Sequence, residues 1–191
     1  MYSRRVDTPD RLIESTRELL WERGYVGTSP KAIQQRSGVG QGSMYHHFSG
    51  KPELALAAVR RTAMEMRAAA EEQLAVPGTA VERITRYLRR EREVLRGCPV
   101  GGLTQDPEIV SSPLLRAPVD ETFEWLRGRL ADVLADGQAS GELALGLDTD
   151  DIAATVVAVL QGGYVLARAA GSAAPFDQAV SGVLALLSHH A

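Results

Sequence analysis

Apolar residues recur every three to four positions through almost all of this 191-residue chain, and alternating β-branched runs are missing. That pattern leaves an all-α fold as the economical outcome. Residues 10–24 place Leu12, Ile13, Thr16, Leu19, Leu20 and Arg23 at helical spacing. Thr8-Pro9-Asp10 supplies a start and Gly24 a stop. Thr28 is expected to cap a short helix through Arg36, with Gly38 and Gly40 ending it, and a second short helix fits 41–47. Lys51-Pro52-Glu53 opens a long Ala-rich helix to about Val76, broken by Pro77-Gly78. Thr79–Arg96 is the next, with Val81, Ile84, Leu88 and Leu95 on one face. Residues 97–113, rich in Gly and Pro, leave room for one short helix only. The remaining helices are read at Pro118–Gly137, Thr149–Ala170 and Pro175–His189. The sum is nine helices, no strand and no internal repeat, with a composition shift near residue 50.

Several classes of protein are disfavoured at once. One cysteine, Cys98, cannot build a disulfide framework. Met1 to Asp7 leads into charged residues rather than the apolar run of a signal peptide. The most apolar stretch, Ile152 to Ala167, reads as interrupted by Gln161-Gly162-Gly163, so no membrane span is expected and a cytoplasmic location is the default. The net charge of −3 hides an asymmetry: residues 1–51 carry eight Lys/Arg against five Asp/Glu, and residues 52–191 carry thirteen against nineteen. A basic head on an acidic body suits a protein that meets a polyanion at one end.

The local signal that carries function lies in residues 24–54. Two short helices joined by a Gly-containing turn make a helix-turn-helix, whose second helix enters the major groove of DNA. Ala32, Ile33 and Val39 are apolar, as the inner faces require, and Met44 and Phe48, four apart, can both enter the head's core. At 100° per residue from Met44, Gly42 and His46 fall on the opposite face, flanked by Ser43 and Tyr45. Gly42, without a side chain, permits close approach to DNA.

This stretch resembles the TetR family of regulators: the Thr capping the second helix, the Gly-Val-Gly turn, Tyr45-His46-His47-Phe48, then Lys51 and Glu53-Leu54. The resemblance implies a three-helix DNA-binding head, residues 1–50, and a six-helix ligand-binding and dimerisation body, residues 51–191. By position it implies phosphate contacts from Thr28, Tyr45, His47 and Lys51 and base reading by Gln41, Gly42, Ser43 and His46. Hydroxyl, imidazole and ammonium groups suit phosphates, and an exposed Gln can pair with the groove edge of adenine. The chain departs from the family pattern at Gly40, where a Ser or Thr often caps the recognition helix, and at Pro30, where an apolar β-branched residue is usual.

The resemblance also implies partners: a double-stranded DNA operator with inverted repeats, a second copy of the chain paired through the last two helices, and a small-molecule effector. No cofactor is implied. The segment Gly97-Cys98-Pro99-Val100-Gly101-Gly102-Leu103 is similar to the corresponding loop of the LmrA/YxaF-like subgroup, which points to a hydrophobic or aromatic effector that releases a repressor from DNA. Candidate effector-binding residues are Met64, Tyr87, Cys98, Trp125, Gln161, Tyr164 and Arg168. Met, Trp and Tyr at helical spacing equally suit a core, whereas Gln161 and Arg168 must find polar partners. Cys98, near Arg96, has a second reading as an oxidant or electrophile sensor, against that of an inert buried thiol. For the dimer, Ile152, Val156, Val159, Leu160, Val183, Leu184 and Leu187 are candidates, with packing inside one subunit as the competing role.

An enzyme is the main rival class. Histidines occur only at 46, 47, 189 and 190, and no phosphate loop, zinc spacing or nucleophile elbow is present. A structural DNA binder without sequence preference is the other. Neither accounts for the whole 24–54 constellation, so a non-enzymatic regulator is expected.

Overall fold

The computed structural model describes residues 7–144, 146 and 148–188. The readings placed on residues 1–6, His189 and His190 lie outside the described residues. Among these there are nine α-helices: α1 Thr8–Arg23, α2 Pro30–Ser37, α3 Gln41–His47, α4 Lys51–Leu74, α5 Ala80–Arg89, α6 Pro107–Ser111, α7 Pro113–Ala139, α8 Thr149–Ala170 and α9 Ala174–Ser188. Two 3-10 turns, Val94–Arg96 and Gly101–Gln105, lie between α5 and α6. The chain packs as two compact units, Met1–Met64 with Pro99–Asp120, and Glu65–Cys98 with Glu121–Ala191.

In the first unit, Leu12, Leu19, Ile33, Val39, Met44 and Leu54 form the core, with Ile13, Ala32 and Phe48 packed against it. Ala32, Ile33, Val39, Met44 and Phe48, read from the sequence as inward, are among them. Asp7 caps α1 through its carboxylate, so the helix starts with Thr8-Pro9 inside its first turn. The expected Thr28 cap is corrected: Ser29 caps α2, its Oγ accepting from the Ala32 N–H, because Pro30 fixes the first helical position. The Thr28 hydroxyl instead donates to the Gly24 carbonyl at 2.7 Å. Arg17 donates to the Thr62 hydroxyl at 3.0 Å and Arg61 pairs with Asp10 at 2.7 Å, tying α1 to α4.

In the second unit, Thr79 and Glu82 form a reciprocal capping box at the start of α5. The helix stops at Arg89, short of the expected Arg96. Arg92 folds back and donates to the Tyr87 and Leu88 carbonyls at 2.5 and 2.6 Å, ending the helical ladder. Arg129 pairs in a fork with Glu71, at 2.8 and 3.0 Å, between α7 and α4. Helix α7 begins at Pro113, five residues before the expected Pro118, and carries Pro118 inside its early turns.

Helices α8 and α9 pack side by side. Helix α8 runs over the Thr149–Ala170 bounds read from the sequence, and contrary to the expectation that Gln161-Gly162-Gly163 interrupt its apolar run, it is by length and composition able to cross a membrane. Gly163 is where α9 comes close, since a Cβ there would stand 3.0 Å from the Phe176 ring. Of the residues considered for dimerisation, Val156, Leu160, Val183, Leu184 and Leu187 are buried within the chain, so packing inside one subunit is their role. The outward face of the pair holds Ala158, Val165, Leu166, Gly182, Ala185 and Leu186, all exposed.

Candidate nucleic-acid interface

Helix α3 is held by its neighbours through one side. Met44, 1% exposed, is its single buried residue, and Gln34 on α2 reaches the Met44 sulfur at 3.8 Å. Gln41, Gly42, Ser43, Tyr45, His46 and His47 are all exposed. A Cβ at Gly42 would meet nothing within 4 Å, so this side of the helix is open to whatever approaches it. The His46 and His47 rings meet edge-on at 5.0 Å. Gly40, at the N-cap, offers no side-chain cap, as its identity dictates.

The turn before α3 is set by Gly38 in the left-handed region at φ 64°, a conformation that a side chain would disfavour. Arg11 donates to the Ser37 carbonyl at 2.5 Å and fixes the same corner to α1. After α3, the Glu53 carboxylate accepts from both the backbone N–H and the hydroxyl of Ser49, at 2.7 Å each. These bonds hold the Glu53 carboxyl below its usual pKa.

Two of the expected phosphate-contacting residues are placed differently from the rest. Thr28 is 1% exposed, with its hydroxyl used at Gly24, so it presents nothing to a ligand. Lys51 is half-buried, its Nζ 3.8 Å above the centre of the Tyr25 ring. Burial lowers its pKa, with Glu108 and Asp106 acting in the opposite direction. The ammonium is thus held over the Tyr25 ring at the start of α4.

Asp106 is a residue that sequence reasoning missed. It is 8% exposed, and its carboxylate is shared. Oδ1 accepts from the Glu108 and Ile109 N–H groups, capping α6, while Oδ2 accepts from the Val26 N–H at 2.8 Å. The α1–α2 loop is therefore anchored by a residue eighty positions away. The available signal was Asp106-Pro107-Glu108, an N-cap followed by Pro at the first helical position.

The effector candidates scatter. Tyr87, Cys98 and Tyr164 are buried in the second unit and interact electrostatically with one another. Arg168 is exposed and lies along Gly97, where a Cβ would stand 3.2 Å from its Cδ. Trp125 and Gln161 are half-buried, and Met64, in the first unit, is 66% exposed.

Comparison with known proteins agrees with this geometry. The model of bacterial regulatory proteins of the tetR family matches residues 12–58, and that of the tetracyclin repressor-like C-terminal domain matches residues 78–183, more than half of the chain. The chain belongs to the TetR family of transcriptional regulators. It is 24% identical to the HTH-type transcriptional regulator YxaF of Bacillus subtilis, over 85% of each chain. It is 25% identical to LmrA of the same organism, over 88% of this chain and 90% of that one. A TetR regulator from Chloroflexus aurantiacus superposes with a TM-score of 0.84 at 27% identity, over 93% of this chain and 92% of that one. These relatives are transcriptional regulators and not enzymes, and the chain shares their N-terminal helix-turn-helix.

Proposed function

We propose that this TetR-family regulator is a cytoplasmic repressor that binds an inverted-repeat operator as a homodimer and is released by a small hydrophobic or aromatic effector. Residues 1–50 are the DNA-binding head and residues 51–191 the ligand-binding and dimerisation body. The observation that carries the reading is the composition of α3: every residue except Met44 is exposed, and the exposed ones are a Gln, a Ser, a Tyr, two His and a Gly. In this reading Gln41, Ser43 and His46 face base edges across the open position at Gly42, while Tyr45, His47 and Lys51 contact phosphates. Thr28 contributes through the fold of the α1–α2 loop. The outward apolar face of α8 and α9, with Val165 56%, Leu166 55% and Leu186 65% exposed, supports pairing with a second copy. Helix α4, 24 residues without a break, supports a route by which effector binding alters the spacing of two heads.

The test is footprinting of the purified protein on its genomic DNA, followed by two substitutions. Lys51→Ala should weaken binding to all sequences alike and reduce the salt slope by about one. Gln41→Ala should relax preference at one position of each half-site, costing about 1–3 kcal/mol there. Protection without a repeated half-site, or one sequence profile for both variants, would refute the assignment.

A further inference from the structure

Lys51 opens α4 four residues after His47 closes α3, and an aromatic ring supports its ammonium. Nζ stands 3.8 Å from the centre of the Tyr25 ring. Among the described residues no carboxylate lies within ion-pair distance of it. Asp106 and Glu108 act on the ammonium from beyond that distance. The Asp106 carboxylate, which reaches the same loop, is already met by the Val26, Glu108 and Ile109 N–H groups.

The ring is fixed by the backbone around it. Tyr25 is buried in the loop between α1 and α2. Its carbonyl accepts from the Thr28 N–H at 3.0 Å, and the Thr28 hydroxyl donates to the Gly24 carbonyl. Gly24 takes φ 71°, and a Cβ at Gly27 would stand 2.4 Å from the Arg23 carbonyl oxygen, so both positions need glycine. The neighbouring Val26 N–H is tied to Asp106. A loop secured on both sides of Tyr25 leaves its ring little freedom to follow the lysine, so the lysine is held by the ring.

The kind of partner decides what this hold is good for. A lysine stem is flexible, and ordering it opposes every contact the ammonium makes. A carboxylate in the place of Tyr25 would order the ammonium by neutralising it, and a neutralised ammonium gains little from a phosphate. An aromatic face attracts the cation through its quadrupole and leaves the charge in place. The ring takes one side of the ammonium only, and Lys51 is half-buried rather than buried, so N–H groups on the other side remain for a second acceptor.

We propose that Tyr25 is a positioning residue for DNA binding: its ring holds the Lys51 ammonium, still charged, where that ammonium meets a phosphate of the DNA backbone. Tyr25 acts through Lys51 and touches no DNA. The inference rests on the reading of Lys51 as a phosphate contact and adds the residue that presents it.

Fluorination of the ring tests this, because fluorine withdraws charge from the ring face and leaves the shape of the side chain nearly unchanged. Full-length protein is prepared as Tyr25→Phe and with that phenylalanine carrying one, two or three fluorines. Each form is titrated onto the footprinted operator and onto unrelated DNA by fluorescence anisotropy, with and without Lys51→Ala. Tyr25→Phe keeps the ring face and should bind within about two-fold of wild type. Affinity should then fall with each fluorine, in all by about two- to five-fold for each head engaged, as the held population of the ammonium declines. The fall should be equal on both DNAs, as for a backbone contact. In the Lys51→Ala background the series should be flat. A flat series with Lys51 present, a fall that persists without Lys51, or a fall confined to the operator would overturn the proposal. Lys51→Ala also separates the two readings. Weakened binding with a flat fluorine series refutes the role of Tyr25 alone, whereas binding and salt slope unchanged in Lys51→Ala refute the phosphate contact itself.

Discussion

Asp106 offers the sharpest test of how the DNA-binding head is held. Its two oxygens do different work, one capping α6 and the other accepting from Val26 in the α1–α2 loop. Asp106→Ala removes both. Loss of an N-cap costs about 1 kcal/mol, and loss of a hydrogen bond to a charged group about 1.5–3 kcal/mol. The part-buried setting of the Val26 bond argues for the lower half of that range. The expected sum is about 2.5–3.3 kcal/mol, which for a chain of this length lowers Tm by about 5–13 °C. Asp106→Asn should fall between, because its single carbonyl oxygen can keep the cap while its NH₂ faces the Val26 N–H. Gly24 supplies an internal control. It sits at φ 71°, and a Cβ there would stand 2.8 Å from Asp106 Oδ2. Gly24→Ala should therefore cost more in the wild-type background than in Asp106→Ala, where only the backbone strain remains. Urea denaturation with gel shifts on one operator fragment measures both consequences, since a loosened loop displaces α2 and weakens DNA binding. Asp106→Ala within about 0.5 kcal/mol of wild type, or strictly additive Gly24 and Asp106 effects, would refute the shared-carboxylate anchor.

Two further outcomes follow from the second unit. Val165→Glu with Leu186→Glu should give a folded monomer by light scattering, whereas Leu160→Glu should destabilise the chain itself, because Leu160 is 4% exposed inside it; a stable dimer of the first variant would remove α8 and α9 from the interface. The Glu71 carboxyl is held below its usual range chiefly by its hydrogen bond to Arg129, so its contribution to stability is complete above the ordinary carboxylate pKa and is lost as pH falls through the lowered folded value. Glu71→Gln should flatten the acid limb of the stability profile, and an unchanged limb would show that the pair contributes nothing.

The sequence was most legible where one periodic face alone decided the structure. Leu12, Leu19, Ile33, Val39 and Met44 had to point inward for three short helices to share a core, and the exposed face of α3 follows from Met44 by rotation. It was least legible where a distant residue decided a local outcome. Apolar period continues past Arg89 to Leu95, yet α5 ends because Arg92 turns back on the last carbonyls, a choice made by the guanidinium and invisible to hydropathy. Thr28 and Ser29 are both able caps, and Pro30 selected between them by fixing φ one residue later. Helix α8 is apolar on nearly every side, so its pattern could not say which face meets α9 and which is left bare; Gly163 and Phe176 settle that by close approach. The same limit applies to the residues considered for effector binding. Tyr87, Cys98 and Tyr164 were visible as large or reactive groups in helical surroundings, but Arg90 and Arg92 look, in sequence, like two charges on a solvated run of arginines and glutamates. Only the fold buries their Nε atoms without acceptors. Donors that the chain takes out of water thus belong to residues whose sequence context gave no reason to choose them.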